Sequence, residues 1–257
     1  MSDEVALRIE GALAHLTISN VDSRNALTWR MYDQLAAACD TVAGNPELRV
    51  LLLRGDGAAF AAGTDIGQFA DFRDGEDGVR YEHRVAQVLD RLAGLGIAVV
   101  AVVEGPAVGA GLALVAICDL VIATPDAVFG APVARTVGNC LPPVTIGRLY
   151  ASLGRSATLS MLLTARLVSA DEAHRAGLVH EVVDRTELDP RVSEIVADIC
   201  RCAPLSIAAI KEADRRLAAP SGQVEFDDVF RACYGSSDFH EGVQAFLDKR
   251  PAVWKGR

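Results

Sequence analysis

The chain has 257 residues, about half of them hydrophobic and a quarter charged, with few aromatics and a formal charge of −9. That length and composition suit one large α/β domain, or such a domain with a C-terminal extension, able to bury a sizeable core. The acidic balance, with no basic block, argues against non-specific nucleic-acid binding, because a phosphate backbone is bound mainly by clustered Lys and Arg, and no nucleic-acid partner is expected. The N-terminus "MSDEVALRIEG" lacks the basic-then-apolar pattern of a signal peptide. The longest apolar runs are about ten residues, too short to cross a bilayer. The six cysteines are scattered, without metal-ligand spacing, and suit reduced thiols in a cytoplasmic protein with no metal site.

In chain order, Ala12–Asn20 alternates apolar and polar residues and predicts a strand. "NALTWRMYDQLAAACDTVAGN" places Leu27, Met31, Leu35 and Ala38 at helical spacing and predicts a helix stopped at Gly44. "LRVLLLRGDG" predicts a buried strand ending in a turn. The charged stretch Arg73–Gly78 predicts a mobile loop. A second amphipathic helix follows in "YEHRVAQVLDRLAGLG", then a third strand in "IAVVAVVEG". A short helix is expected up to Cys118, and "DLVIATPDAVFG" predicts two short strands around Pro125–Asp126. Alternating strands and helices imply parallel pairing through crossover helices. Beyond Pro142 the pattern is mostly helical. Ser169 and Glu172 form a capping box for a helix ended by Gly177, and Pro204 opens another. A last helix is expected at about residues 238–249, with Lys249 and Arg250 at its end.

Two strands run into loops of small residues, "GAAFAAGTDIGQF" (57–69) and "EGPAVGAGLALVAICD" (104–119). The second carries Gly109 and Gly111 but lacks the third glycine of a dinucleotide-binding turn, and it lies far from the first strand, so that reading is poor. Taken alone, the glycines need only let a helix pack closely on a sheet. Together, however, the two loops resemble the crotonase, or enoyl-CoA hydratase/isomerase, superfamily. "AFAAGTDIGQF" is similar to its A-F-x-A-G-x-D loop and "VEGPAVGAGLALVAICDLVIA" to its second loop and helix. "NALTWRMYDQL", "TARLVSADEAHRAGLVHEVVD" and "EGVQAFLDKRPAVWKG" follow the family pattern in register, so the resemblance spans about Val5 to Lys255.

The resemblance implies a ββα spiral core over residues 1–190 and a C-terminal helical trimerisation region over 191–257, forming homotrimers or hexamers. It implies an acyl-CoA substrate of fatty-acid metabolism, with no cofactor besides the CoA of the thioester. The thioester oxygen would sit between two backbone N–H groups, which map to Thr64 and Ala110. A helix N-terminus and closely approaching backbone suit that task. CoA contacts map to Arg24, Ala26, Ala62, Asp65 and Ile66, with Phe246 and Lys249 from a neighbouring subunit. Asp65 is also expected to cap a helix or hold its loop. The family's two hydratase glutamates fall on Ala113 and Val133, which move no proton. Efficient hydration is therefore not expected; isomerisation, C–C cleavage, decarboxylation or slow hydration remain open. The substitute candidates are Glu82 and His83 on the second helix, and Cys140 in the altered segment with Arg135 and Asn139. For each, a bland role stands beside the catalytic one: a solvated helix face, or an inert buried thiol. A non-catalytic acyl-CoA-binding or scaffold protein is the alternative.

Overall fold

The computed structural model describes residues 4–72, 75–136, 138–218, 237, 241, 248, 250 and 252–257. Its centre is a six-stranded sheet in the order β1 (Glu4–Glu10), β2 (Leu13–Ser19), β3 (Val50–Gly55), β4 (Ala98–Val103), β6 (Leu120–Ala123), β9 (Glu181–Val182). The β1–β2 pair is antiparallel and the others are parallel. Between β4 and β6 the chain forms β5 (Pro106–Val108), which joins β7 (Val128–Gly130) and β8 (Val168–Ser169) in a separate three-stranded sheet. The two strands predicted around Pro125–Asp126 are thus β6 and β7, and they belong to different sheets.

The near-continuous apolar runs of β3 and β4 follow from burial on both faces. Leu51, Leu53, Val99 and Ala101 point into the main core with α1 (Trp29–Ala43), α2 (Gly75–Ala93) and α3 (Ala110–Ile117). Val50, Leu52, Val100 and Val102 point the other way, against Leu188, Val192 and Ile195 of α8 (Leu188–Cys200). Thr28 caps α1 by accepting the Met31 N–H, and Gly44 follows its last turn. Ser169 caps α7 (Ala170–Ala176) by accepting the Glu172 N–H, and Gly177 closes it at φ +104°, as the sequence predicts. The helix at Pro204 is α9 (Pro204–Leu217).

One expectation is corrected. The segment Arg73–Gly78 is no loop throughout, because α2 begins at Gly75. Asp77 lies in its first turn, where a carboxylate suits the helix dipole, and pairs with Arg80 one turn on. Val85, Leu89 and Leu92 then bury one face of the helix in the core. The helix expected at residues 238–249 falls largely outside the described residues.

Candidate active site

Strand β3 leads into residues 56–65, and β4 leads through β5 into α3, so the two small-residue loops emerge side by side. Their backbones are laced together. The Phe60 and Ala61 N–H groups donate to the Pro106 carbonyl at 3.0 and 3.1 Å, and the Val108 N–H donates to the Ala61 carbonyl at 2.9 Å. Glycine makes this approach possible. A Cβ on Gly111 would lie 2.2 Å from the Ala61 oxygen. Gly63 (φ +106°) and Gly109 (φ +57°) hold left-handed conformations, and a Cβ on Gly109 would lie 3.5 Å from the Gly63 Cα.

Among the described residues, two N–H groups at this meeting point have no acceptor. Ala110 is the first residue of α3, so its N–H has no partner within the helix. On the other loop, the Gly63 carbonyl accepts from the Leu27 N–H and the Asp65 N–H donates to the Leu27 carbonyl, at 2.7 and 3.0 Å. The Thr64 N–H between them has no acceptor among the described residues. A Cβ on Gly63 would sit 3.9 Å from the Ala110 nitrogen, so the loops meet where these donors lie.

The Thr64 side chain belongs to a hydroxyl relay that sequence reading missed. Its Oγ1 is 2.6 Å from the Tyr32 phenol of α1 and 2.9 Å from the Tyr81 phenol of α2. Burial pushes both phenols above their ordinary pKa, and hydrogen bonding with Thr64 pulls partly the other way. Trp29 and Phe69 pack on Tyr81 with centroids 5.7 and 5.0 Å away. The available signal was the gathering of Trp29, Tyr32, Phe69, Phe72 and Tyr81 in a chain so poor in aromatics.

A narrow cavity opens beside Ala110, walled by α2, α3, α4 (Val133–Thr136) and the start of α5 (Pro143–Leu153). Ala113 and Val133 both line it, as do Glu82, Asn139 and Cys140. Glu82 is half-buried, desolvation raises its pKa, and among the described residues it has no ion-pair partner. Its neighbour His83 is exposed and does not line the cavity. The structure separates the two candidates: one helical step turns the side chain by about 100°, which puts Glu82 inward and leaves His83 on the solvated helix face. Cys140 is exposed at the cavity rim rather than buried, and Arg135 is exposed outside the lining.

Residues 8–257 match the family model described as Enoyl-CoA hydratase/isomerase. The chain belongs to this family, the crotonase superfamily. It is 29% identical to the 2,3-dehydroadipyl-CoA hydratase of Escherichia coli, over the whole of both chains. Among solved structures it resembles an enoyl-CoA hydratase/carnithine racemase from Magnetospirillum magneticum, with TM-score 0.92 and 32% identity over 100% of this chain and 97% of that one. An enoyl-CoA hydratase from Mycobacterium smegmatis matches at TM-score 0.87 and 30% identity, covering 97% of this chain and 98% of that one. The mixed α/β fold is the crotonase fold.

The residues that the enoyl-CoA hydratase/isomerase pattern assigns to CoA gather along one edge of the loops. The Ala62 N–H donates to the Arg24 carbonyl at 3.0 Å, and the segment through Ala26 and Leu27 runs beside Gly63–Asp65. Arg24 and Ile66 are exposed, while Ala26 and Ala62 are half-buried. The Asp65 carboxylate caps the short 3-10 helix that follows it, accepting the Gly67 N–H at 2.9 Å. Phe246 and Lys249 lie outside the described residues. Asn25, which sequence reading passed over, holds this edge together. It is fully buried at φ +60°, donates to the Asp56 and Ala59 carbonyls at 2.8 and 2.7 Å, and accepts the Asn20 N–H. A lone Asn between Arg24 and Ala26 is the residue type that tolerates a left-handed turn, and that was its signal.

Proposed function

We propose that this protein is an enzyme that binds an acyl-CoA thioester and stabilises an enolate-like oxyanion between the N–H groups of Thr64 and Ala110. The observation that carries the reading is the pair of free donors where two interlocked loops meet, one of them at the start of α3. Such donors act on charge that develops at the thioester oxygen, and fixed backbone needs no reorganisation to do so. Arg24, Ala26, Ala62, Asp65 and Ile66 border the CoA. The acyl group enters the cavity beside Ala113 and Val133, which supply no acid or base. The reaction is therefore one that runs through an enolate without the two family glutamates: isomerisation, C–C cleavage, decarboxylation or slow hydration. The chain works in the cytoplasm as a homotrimer or hexamer, assembled through the helical region 191–257.

A thermal-shift panel with CoA, butanoyl-CoA, crotonyl-CoA and NAD tests the ligand class. A ligand bound only by the native state at 100 times its dissociation constant adds about 2.7 kcal/mol. A raised melting temperature with the acyl-CoAs is expected. Stabilisation by NAD alone would overturn the reading.

A further inference from the structure

We propose that Glu82 is the catalytic residue that removes and returns the α-proton of the bound acyl-CoA, in place of carboxylates at positions 113 and 133; this rests on the thioester-binding reading above. The geometry narrows the choice. Among the described residues, the cavity that adjoins Ala110 has three titratable groups on its wall, Tyr81, Glu82 and Cys140, and no Lys, Arg or His. Tyr81 is engaged with Thr64 and burial keeps its phenol protonated, so it is no base. Cys140 stands exposed on the rim. Glu82 alone is a half-buried carboxyl without an ion-pair partner among the described residues, on the wall shared by Ala110, Ala113 and Val133.

A second observation points to a ligand in the same cavity. Thr145 of α5 is 2% exposed, and its Oγ1 has no hydrogen-bond partner among the described residues. It lines the cavity beside apolar Val85, Leu89 and Leu141. A buried hydroxyl left unpaired marks a place where a polar atom of a ligand or a water completes the wall. Desolvation also raises the Glu82 pKa, which moves the carboxylate toward the basicity a proton carrier needs.

The step balances without a further reactant. The Glu82 carboxylate takes the α-proton. The C–H electron pair moves into the bond between Cα and the thioester carbon, and the carbonyl π pair moves onto oxygen, held by the two N–H groups. Return of the proton to the same carbon restores the thioester. Its delivery to the γ-carbon of a 3-enoyl chain shifts the double bond.

The test is deuterium wash-in at the α-carbon of butanoyl-CoA in D2O, followed by mass spectrometry, with thermal shift by butanoyl-CoA as the binding readout. The full-length parent is expected to catalyse exchange, with a rate that rises with pH as a carboxylate is freed. E82Q is expected to lose about 10²–10⁴-fold while still binding, E82D to recover part of that loss, and the outward-facing H83A to match the parent. A110P is expected to lose exchange too. If A110P loses exchange and E82Q keeps it, the Glu82 proposal falls and the oxyanion reading stands. If the parent binds butanoyl-CoA but exchanges no proton, the Glu82 proposal falls as well. If butanoyl-CoA does not bind, or if A110P exchanges at the parental rate, the oxyanion reading itself is overturned.

Discussion

Replacing Gly111 by alanine probes the contact between the two loops with the smallest possible change. The added Cβ would lie 2.2 Å from the Ala61 oxygen and 3.0 Å from the Ala61 carbonyl carbon. An ordinary carbon–oxygen contact is about 3.3 Å, so one loop must yield by about 1 Å. That carbonyl is also fixed, because it accepts the Val108 N–H at 2.9 Å. Overpacking costs about 1–3 kcal/mol, and loss of the hydrogen bond about 0.5–1.5 kcal/mol more. The helix gains up to about 1 kcal/mol from replacing a glycine in its first turn. The net expectation is a loss of about 1–3 kcal/mol, or a melting temperature lower by roughly 3–10 °C for a chain of this size. Function should suffer more, since a 1 Å misplacement of catalytic groups can cost about 10²-fold. The assay is thermal unfolding by circular dichroism with butanoyl-CoA exchange on the same samples. Gly147→Ala is the control: it lies exposed within α5 with no atom near its added Cβ, and a gain of about 0.5–1 kcal/mol is expected. A G111A protein with parental melting temperature and parental exchange would refute the interlocked-loop account of the site.

Hydration of crotonyl-CoA is expected to be weak, because a positioned acid or base contributes about 10²–10⁴-fold and neither Ala113 nor Val133 can supply one; a steady-state kcat above about 10³ s⁻¹ would contradict this. The double change A113E plus V133E is expected to raise that rate, at a cost of a few kcal/mol for burying two carboxyls, provided a folded protein still binds acyl-CoA; no gain would mean that the positions are mismatched. A110S keeps the backbone donor and should leave catalysis near parental, whereas A110P removes it at a helix position that tolerates proline and should cost about 10²–10³-fold in rate with binding less affected. For Glu82, burial raises the folded pKa above 4.5, so the stability linked to this group is full below pH 4.5 and is lost as pH rises through the raised value. E82Q is therefore expected to melt above the parent at pH 7, with the gap closing toward pH 4; a gap that widens on acidification would reverse the assignment.

The parts of the fold legible in sequence are those whose burial pattern is complete within one segment. β3 and β4 read as buried strands because both faces are covered, and α1 and α7 read as helices because caps and apolar stripes coincide. β1 does alternate, with Val5, Leu7 and Ile9 at every second position, but sequence reading passed over it; only Val5 of its seven residues is buried, as suits an edge strand. β5, β8 and β9 are two or three residues long and exist through partners distant in the chain, which no local pattern records. The start of α2 read as a loop because charged and glycine residues dominate it, whereas packing of its later turns carries the helix back to Gly75.

The same division runs through the site. On the proposed reading a backbone donor has to sit at one fixed point, and holding it there demands glycine and alanine at fixed spacing, which is why the loops around Thr64 and Ala110 can be read from the local sequence. A side-chain proton carrier has only to reach the substrate, and any element on the cavity wall can supply it. That wall draws on α2, α3, α4 and the start of α5, so a carboxyl on α2 reaches it as readily as one on α3 or in the segment after β7 would. Tyr32, Thr64 and Tyr81 make the same point: the contacts span 32 and 17 residues, and no motif links them. On the proposed reading, Ala113 and Val133 stand in place of the family glutamates at positions where the fold leaves most freedom, because any element on the cavity wall can supply a proton carrier.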